Sequence, residues 1–210
     1  LAGGVEQIAI IANVVPYVDV PYYTIGEDSK MKLVTDLARI TRIAKEKEDQ
    51  NWRFRSFLKA YDGPAREIDA IVHSLYQRIS SEIDCKQCAN CCREIQPVLN
   101  QKDIRAFSKG LGMSVDEFKT RHLVQGENPG ESRFNKLPCP FLEENLCTNY
   151  EGRPQDCRSF PHLHKRDFTT RLWNVVEKCS VCPIIFNVYE YLKDELWHHR
   201  RRRSAIMRFL

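Results

Sequence analysis

No cysteine occurs in the first 84 residues of this 210-residue chain, although nine follow between positions 85 and 182. Any thiol chemistry is therefore confined to the later part of the sequence. Nine is odd and sparse for a disulfide scaffold, and full internal pairing cannot use it up. A secretory pattern is lacking: residues 1–20 have neither a basic n-region nor a clean apolar h-region. The apolar run from Ile8 to Val20 is broken by Asn13, Pro16 and Asp19, and is too short to span a bilayer. These absences imply a cytoplasmic location, where clustered thiols bind metal more often than they form disulfides. There is no Gly-x-Gly-x-x-Gly after a strand, no P-loop, no His-Glu-x-x-His and no Ser-His-Asp arrangement. No internal repeat points to a solenoid.

What is present is an ordinary globular composition, 42% hydrophobic and 29% charged, which argues against wholesale disorder. The net charge of +4 is mild, and much of it sits in Arg200-Arg-Arg-Arg203, after His198-His199. Such a run can attach to nucleic acid or an anionic surface. A solvated helix end explains it more simply, since cations favour the carbonyl pole of a helix.

Residues 1–28 read as a peripheral arm, punctuated by Gly3-Gly4, Pro16, Pro21 and Gly26. From Ser29 to residue 83 the period is helical. Leu33, Val34, Leu37, Thr41 and Ala44 share a face. A second helix carries Trp52, Phe54, Phe57, Leu58 and Tyr61. A third opens at Pro64 and shows the cleanest stripe: Ile68, Ile71, Val72, Leu75, Tyr76 and Ile79. His73 beside that stripe reads as structural. Past the first cysteines, Glu94–Leu99 alternates like an edge strand, with Pro97 limiting it. Asn100 and Asp103 predict an N-cap and acidic first turn, with Gly110 ending that helix. Ser114 and Glu117 predict another. Residues 137–148 read as a hairpin turning at Glu143-Glu-Asn145, with a cysteine on each arm. Phe168–Val176 has strand character, and Pro183 opens a final helix with Ile184, Ile185, Val188, Tyr191, Leu192 and Leu196 inward. The expected fold is α+β. N-terminal helices pack on a small cysteine-rich domain of short strands (84–183), and a C-terminal helix with a basic tail (184–210) follows.

The chemistry lies in Cys85-Lys-Gln-Cys88-Ala-Asn-Cys91-Cys92, with Cys139, Cys147, Cys157, Cys179 and Cys182 downstream. Cys-x-x-Cys lets two thiolates turn toward one ion. The adjacent pair is informative, because neighbouring side chains diverge on a strand and by about 100° on a helix. Cys91 and Cys92 therefore do not readily share a mononuclear metal. On a helix, positions 85, 88 and 92 would share a face. The count allows two sites, or one polynuclear cluster plus structural thiols. Lys86, Arg93, Arg153 and Arg158 can offset thiolate charge. His162 and His164 are possible imidazole ligands, although the thiols suffice for tetrahedral sites.

The ordered motifs are Cys-x-x-Cys-x-x-Cys-Cys, then Cys139-Pro-Phe-Leu142, then Cys147-Thr-Asn-Tyr150-Glu-x-Arg153-Pro-x-x-Cys157-Arg158-x-Phe160-Pro161. Together they resemble the YkgJ-type CxxCxxCC zinc- or iron-chelating cysteine-cluster family, to which flagellin lysine N-methylase is related. The resemblance implies Cys85, Cys88, Cys91, Cys92, Cys139, Cys147 and Cys157 as metal-site residues. It implies Tyr150, Arg153, Arg158 and Phe160 as positions that support the site. Cys179 and Cys182 join the metal candidates on their own Cys-x-x-Cys spacing, and Arg93 is a candidate cofactor contact. The methylase relationship points to an iron–sulfur cluster, [4Fe–4S] in kind, with zinc as the alternative. S-adenosylmethionine and a methyltransferase activity follow by analogy only, since the usual Cys-x3-Cys-x2-Cys triplet is missing: residue 84 is Asp. A zinc-stapled binding module is the third reading.

Overall fold

The computed structural model describes residues 31–198. The chain divides into two units, Leu1–Lys32 and Leu33–Leu210. The expected arm at 1–28 and the basic run Arg200–Arg203 lie outside the described residues. Three helices come first: α1 (Leu37–Glu46), α2 (Glu48–Lys59) and α3 (Ala65–Glu82). The cysteine-rich part follows with α4 (Cys85–Cys88), α5 (Asn90–Glu94), β1 (Val98–Leu99), α6 (Gln101–Gly110) and α7 (Val115–His122). It continues through β2 (Leu123–Gln125), β3 (Ser132–Phe134), β4 (Leu142–Glu143), β5 (Leu146–Cys147), α8 (Gln155–Ser159) and α9 (Leu172–Lys178). The described chain closes with α10 (Pro183–Lys193) and a π-helical turn, Asp194–His198. It is mostly helical, with small antiparallel sheets in the cysteine-rich region.

Helix α10 is the central element, running along α3 and touching α1 and α9. Pro183 opens it, where a missing N–H costs nothing. Residues 183–189 are all buried, so its apolar run is a core helix rather than an amphipathic one. Asn187 within it clamps the chain ahead of α1. Its side chain accepts from Val34 N at 2.9 Å and donates to Val34 O at 2.8 Å. That clamp holds the chain at Val34 outside the helix, and Asp36 then caps α1 by accepting from Arg39 N at 2.6 Å. The first helix therefore starts later than the apolar period from Ser29 predicts. It buries Ile40 and Ala44 and leaves Thr41 exposed.

The strands are shorter than the sequence pattern implies. A three-stranded antiparallel sheet runs β1-β3-β2, with Val98 opposite Arg133 and Leu123 opposite Phe134. Glu94 finishes α5 and Pro97 has no N–H to give a ladder, so only Val98–Leu99 pairs. Strands β2 and β3 flank the 126–130 loop, and neither carries a strong alternation. Asn100 and Asp103 form the expected capping box on α6. Gly110 is its last helical residue, and the left-handed position after it is Gly112, at φ 66. Among the described residues, no helix is long and apolar enough to cross a membrane.

Phe168–Val176 is helical, against the strand expectation. A 3-10 turn (Phe168–Arg171) leads into α9, burying Phe168, Leu172, Val175 and Val176. The deciding group is Asp69 on α3, whose carboxylate accepts from Asp167 N at 2.8 Å and Phe168 N at 2.9 Å. It satisfies the first donors of the helical stretch from a distant element, which outweighs the β propensity of Thr and Val. Asp69→Ala is expected to lower stability by about 1–3 kcal/mol, the cost of leaving those N–H groups unpaired. Thermal unfolding followed by circular dichroism measures it.

Candidate metal centre

The octet Cys85–Cys92 is two short helices. Asp84 caps the first by accepting from Lys86 N at 2.8 Å. Ala89 then takes the left-handed conformation, at φ 45, and separates α4 from α5. The face that a continuous helix would give to positions 85, 88 and 92 is therefore broken. Cys85 and Cys88 stay on one turn, and Cys91 and Cys92 are re-aimed by the kink.

Long-range hydrogen bonds bring the remaining cysteines in. Cys139 N donates to Cys92 O at 2.8 Å. Leu142 N donates back to Cys139 O at 3.1 Å, and the β4–β5 hairpin then sets Cys147 opposite Leu142. Glu144 and Asn145 take positive φ of 45 and 69, as a tight hairpin turn requires. Cys147 lies on an arm of that hairpin, while Cys139 precedes β4. The hairpin rests on a small core of Leu99, Ile104, Phe107, Phe118, Phe134 and Phe141, with Cys139 and Cys147 packed against it. Phe107 and Phe141 have ring centroids 4.7 Å apart.

Cys157 is placed by two carboxylates that reach in opposite directions. Asp103 on α6 accepts from Gln155 N at 2.9 Å, and Asp156 on α8 accepts from Val98 N at 3.1 Å. Asp156 also meets His162 Nε2 at 3.0 Å. Asn149 anchors the Cys147–Arg153 segment through Nδ2, which donates to Phe107 O at 2.8 Å. It fits because Gly110 and Gly152 lack side chains: a Cβ on either would stand 2.3 or 2.4 Å from Asn149 Oδ1. Cys182 is the N-cap residue of α10, and Asn90 Nδ2 holds the adjacent Val181 O at 2.8 Å.

The thiol electrostatics divide the cysteines. Cys91 donates its S–H to Cys92. That bond, with the charges of Arg153 and Arg93, lowers the Cys92 pKa to about 7 against the effect of burial. Cys92 in turn acts on Cys139, Cys147 and Cys157. Burial pushes Cys139 up to about 11, although its sulfur accepts the Phe141 N–H. Cys147 and Cys157 are raised by burial too, with the Cys147 sulfur accepting the Asn149 N–H. The charge of Cys88 acts on Cys85, and the charges of both act on Cys182. Cys182 is pushed up to about 12 by burial while its sulfur accepts the N–H groups of Ile185 and Ile184. Cys91 stands between the groups, with Cys92, Cys182 and Cys157 all adding to the burial that raises it. Cys179 is buried beside Lys193 and Glu190, with Cys182 as its one cysteine neighbour of influence.

Positive side chains border the thiols. The Arg153 guanidinium lies 3.3 Å from the Tyr150 ring centroid and donates to Tyr150 O at 2.8 Å, while its charge acts on Cys85, Cys92 and Cys147. Lys86 Nζ is 5.0 Å from the same ring. Arg93 donates to Cys88 O at 3.0 Å and to Asn145 Oδ1. Arg158 is exposed on α8. His162 spends Nε2 on Asp156, and His164 is exposed, with its ring 6.0 Å from Tyr76. His73 meets Lys165 O at 3.3 Å, in keeping with a structural role. Beside Cys85 lies an open cleft of about 590 Å³, lined among others by Tyr76, Ser80, Lys86, Tyr150 and Phe160. Sequence reasoning did not find Asp156, Asn149 or Asn90, and gave Asp103 only its capping role on α6, not its bond to Gln155 N. These links show only once the distant partner is seen.

Among the described residues, no three His, Cys, Asp or Glu side chains converge on a single metal position as they lie. The donor chemistry nevertheless fits a thiolate-bound ion. Three sulfurs already accept backbone N–H bonds, one thiol pair shares a proton, and guanidinium groups face the sulfurs. Raised thiol pKa values mean that binding releases protons to solvent.

By class, this is a cysteine-cluster domain built against a helical support. Residues 84–183 match the family CxxCxxCC, described as "Putative zinc- or iron-chelating domain". A search of curated proteins and a search of solved structures each gave no match.

Proposed function

We propose that this chain is an iron–sulfur protein, with a polynuclear centre held by the cysteines of residues 85–182 and no chemistry required beyond holding it. The observation that carries this reading is the Cys91–Cys92 pair. The two neighbours lie together on α5, and both are tied electrostatically to Cys157, which adds to the rise of Cys91 and is itself raised by Cys92. Adjacent thiols in one neighbourhood suit a centre with several irons better than a single tetrahedral zinc. When bound, such a centre supplies electron transfer or a redox-sensitive structural link. The chain's own residues gather the sulfurs, offset their charge and aim backbone N–H groups at them. Anaerobic purification followed by visible spectroscopy with iron, sulfide and zinc analysis tests it. Broad visible absorption with matching iron and sulfide is expected. A colourless protein holding stoichiometric zinc overturns it and leaves a zinc-stapled module.

A further inference from the structure

We propose that the cleft beside Cys85 binds a small organic cation, an arylalkylamine whose ammonium sits at the carbonyl end of α3 and whose ring lies on Tyr76 and Phe160. The site needs no metal and stands whichever ion the cysteines hold. A helix leaves its last four carbonyls without partners inside the helix, and together they carry about half a negative charge. A cation in the last turn or a backbone N–H beyond it answers that pole. Every other α-helix of the described residues has both a basic residue in its last turn and an N–H bond from its cap residue. Helix α3, with 18 residues the longest of them, has neither. No backbone N–H beyond the helix reaches the carbonyls of Ser80, Ser81 or Glu82 among the described residues. Glu82 ends the helix and Asp84 follows, so carboxylates stand where a cation belongs.

That helix end forms one wall of the cleft, which runs from Ser80 to Lys86, with Tyr76 one turn back and Phe160 and Ile184 from other segments. Its volume of about 590 Å³ lies within the roughly 300–1,000 Å³ range of small-molecule sites. The charge is unbalanced. Asp84 spends one oxygen on Lys86 N at 2.8 Å, and no described cation forms an ion pair with it or with Glu82. Lys86 is the one cation of the wall, and its Nζ lies over the Tyr150 ring, 5.0 Å from the centroid. The Arg153 guanidinium lies against the same ring, at 3.3 Å. Tyr150 is therefore occupied, which leaves Tyr76 and Phe160 as the rings open to a ligand. Among the described residues no metal-holding group of His, Cys, Asp or Glu exists here, so the cation that fits is organic. An ammonium offers three N–H donors, enough to meet the α3 carbonyls and the Glu82 carboxylate together. The aromatic rings favour the same charge and hold a flat apolar body.

The test titrates the full chain, as purified, with phenethylamine, phenethyl alcohol and phenylacetate, which share a ring and differ in charge. Isothermal titration calorimetry at low salt reads the binding. Saturable binding of the amine is expected, roughly tenfold or more tighter than that of the alcohol or the acid, the worth of one charge-assisted hydrogen bond. Added salt should weaken it. Glu82→Lys places an ammonium at the helix end, and is expected to keep its Tm and lose the binding. Glu82→Gln keeps the shape of the side chain and should weaken the binding by up to about fivefold, as for an exposed ion pair. Equal binding of the alcohol or the acid, no saturable binding of the amine, or amine binding unchanged in both variants overturns the proposal. Metal content of the same preparation, measured separately, decides the chelating function, so the two readings fail independently.

Discussion

On the proposed reading, replacing Cys92 by serine is expected to abolish metal binding by the group that includes Cys139, Cys147 and Cys157. Cys92 is the hub of that group. Its carbonyl receives Cys139 N at 2.8 Å, and its charge acts on all three of the other thiols. It also has the lowered pKa, about 7, because Cys91 donates to it and Arg153 and Arg93 face it. Serine offers a hydroxyl that stays protonated and binds a soft metal poorly. The loss of affinity should exceed the roughly 10–100-fold cost of changing a residue beyond the ligands. Arg153→Leu belongs in that lesser range, since it removes a cation from Cys92, Cys85 and Cys147 without removing a sulfur. Cys179→Ala is expected to keep the full metal content. Elemental analysis of the purified variants measures all three. Equal metal in Cys92→Ser and wild type would remove Cys92 from the ligands.

The second large effect lies away from the cysteines. Lys193→Met is expected to destabilise the fold by about 3–5 kcal/mol, because it removes one member of a buried charged network. Lys193 is only 2% exposed, and its Nζ donates to Asn51 Oδ1 at 2.7 Å and to Glu190 Oε1. Glu190 Oε2 also receives Lys47 Nζ at 2.5 Å, and Tyr189 OH donates to Asn51 O at 3.0 Å. The network thereby joins α10 to α2 and to Lys47, between α1 and α2. Methionine fills the volume but leaves a carboxylate oxygen and an amide oxygen unpaired. At about 2–4 °C per kcal/mol for a chain of this size, the drop in Tm should be roughly 10 °C. Burial works against ionisation of Glu190, but the charges and hydrogen bonds of Lys193 and Lys47 prevail and hold its pKa below the ordinary value. A carboxylate depressed in the folded state contributes stability above its unfolded pKa and loses it as pH falls through the folded value. The stability gap between wild type and Glu190→Gln should therefore narrow as pH drops through and below the ordinary carboxylate range. Denaturant melts across that range measure it, and a gap that does not change with pH would remove Glu190 from the pH response.

Much of the helical support was legible in residue spacing. Ile68, Val72, Leu75 and Ile79 are buried on α3 as their period predicts. Pro183 opens α10, and Asn100 with Asp103 caps α6. These signals are local, so a short window carries them. The failures have a common cause. Phe168–Val176 carries β-branched residues, yet Asp69, almost a hundred positions earlier, supplies the cap that makes the stretch helical. Residues 33–35 continue an apolar period, yet Asn187 clamps Val34 from α10. In each case a distant polar side chain satisfied backbone groups and set the local conformation.

The same division holds for the candidate site. The sequence by itself pointed to a thiol-rich domain of the zinc- or iron-chelating kind, because ligand identity and Cys-x-x-Cys spacing are properties of a few neighbouring residues. It also pointed to Cys91 and Cys92 as neighbours that do not readily share one mononuclear metal, since adjacent side chains leave a helix about 100° apart. Only the tertiary structure decided which thiols stand together. The left-handed Ala89 separates Cys85 and Cys88 from Cys92, and the bond between Cys139 and Cys92 gathers the first group. The start of α10 buries Cys182 at its N-cap position, and Cys179 is buried as well. Those pairings depend on burial and on hydrogen bonds between segments far apart in the chain, which no local pattern encodes.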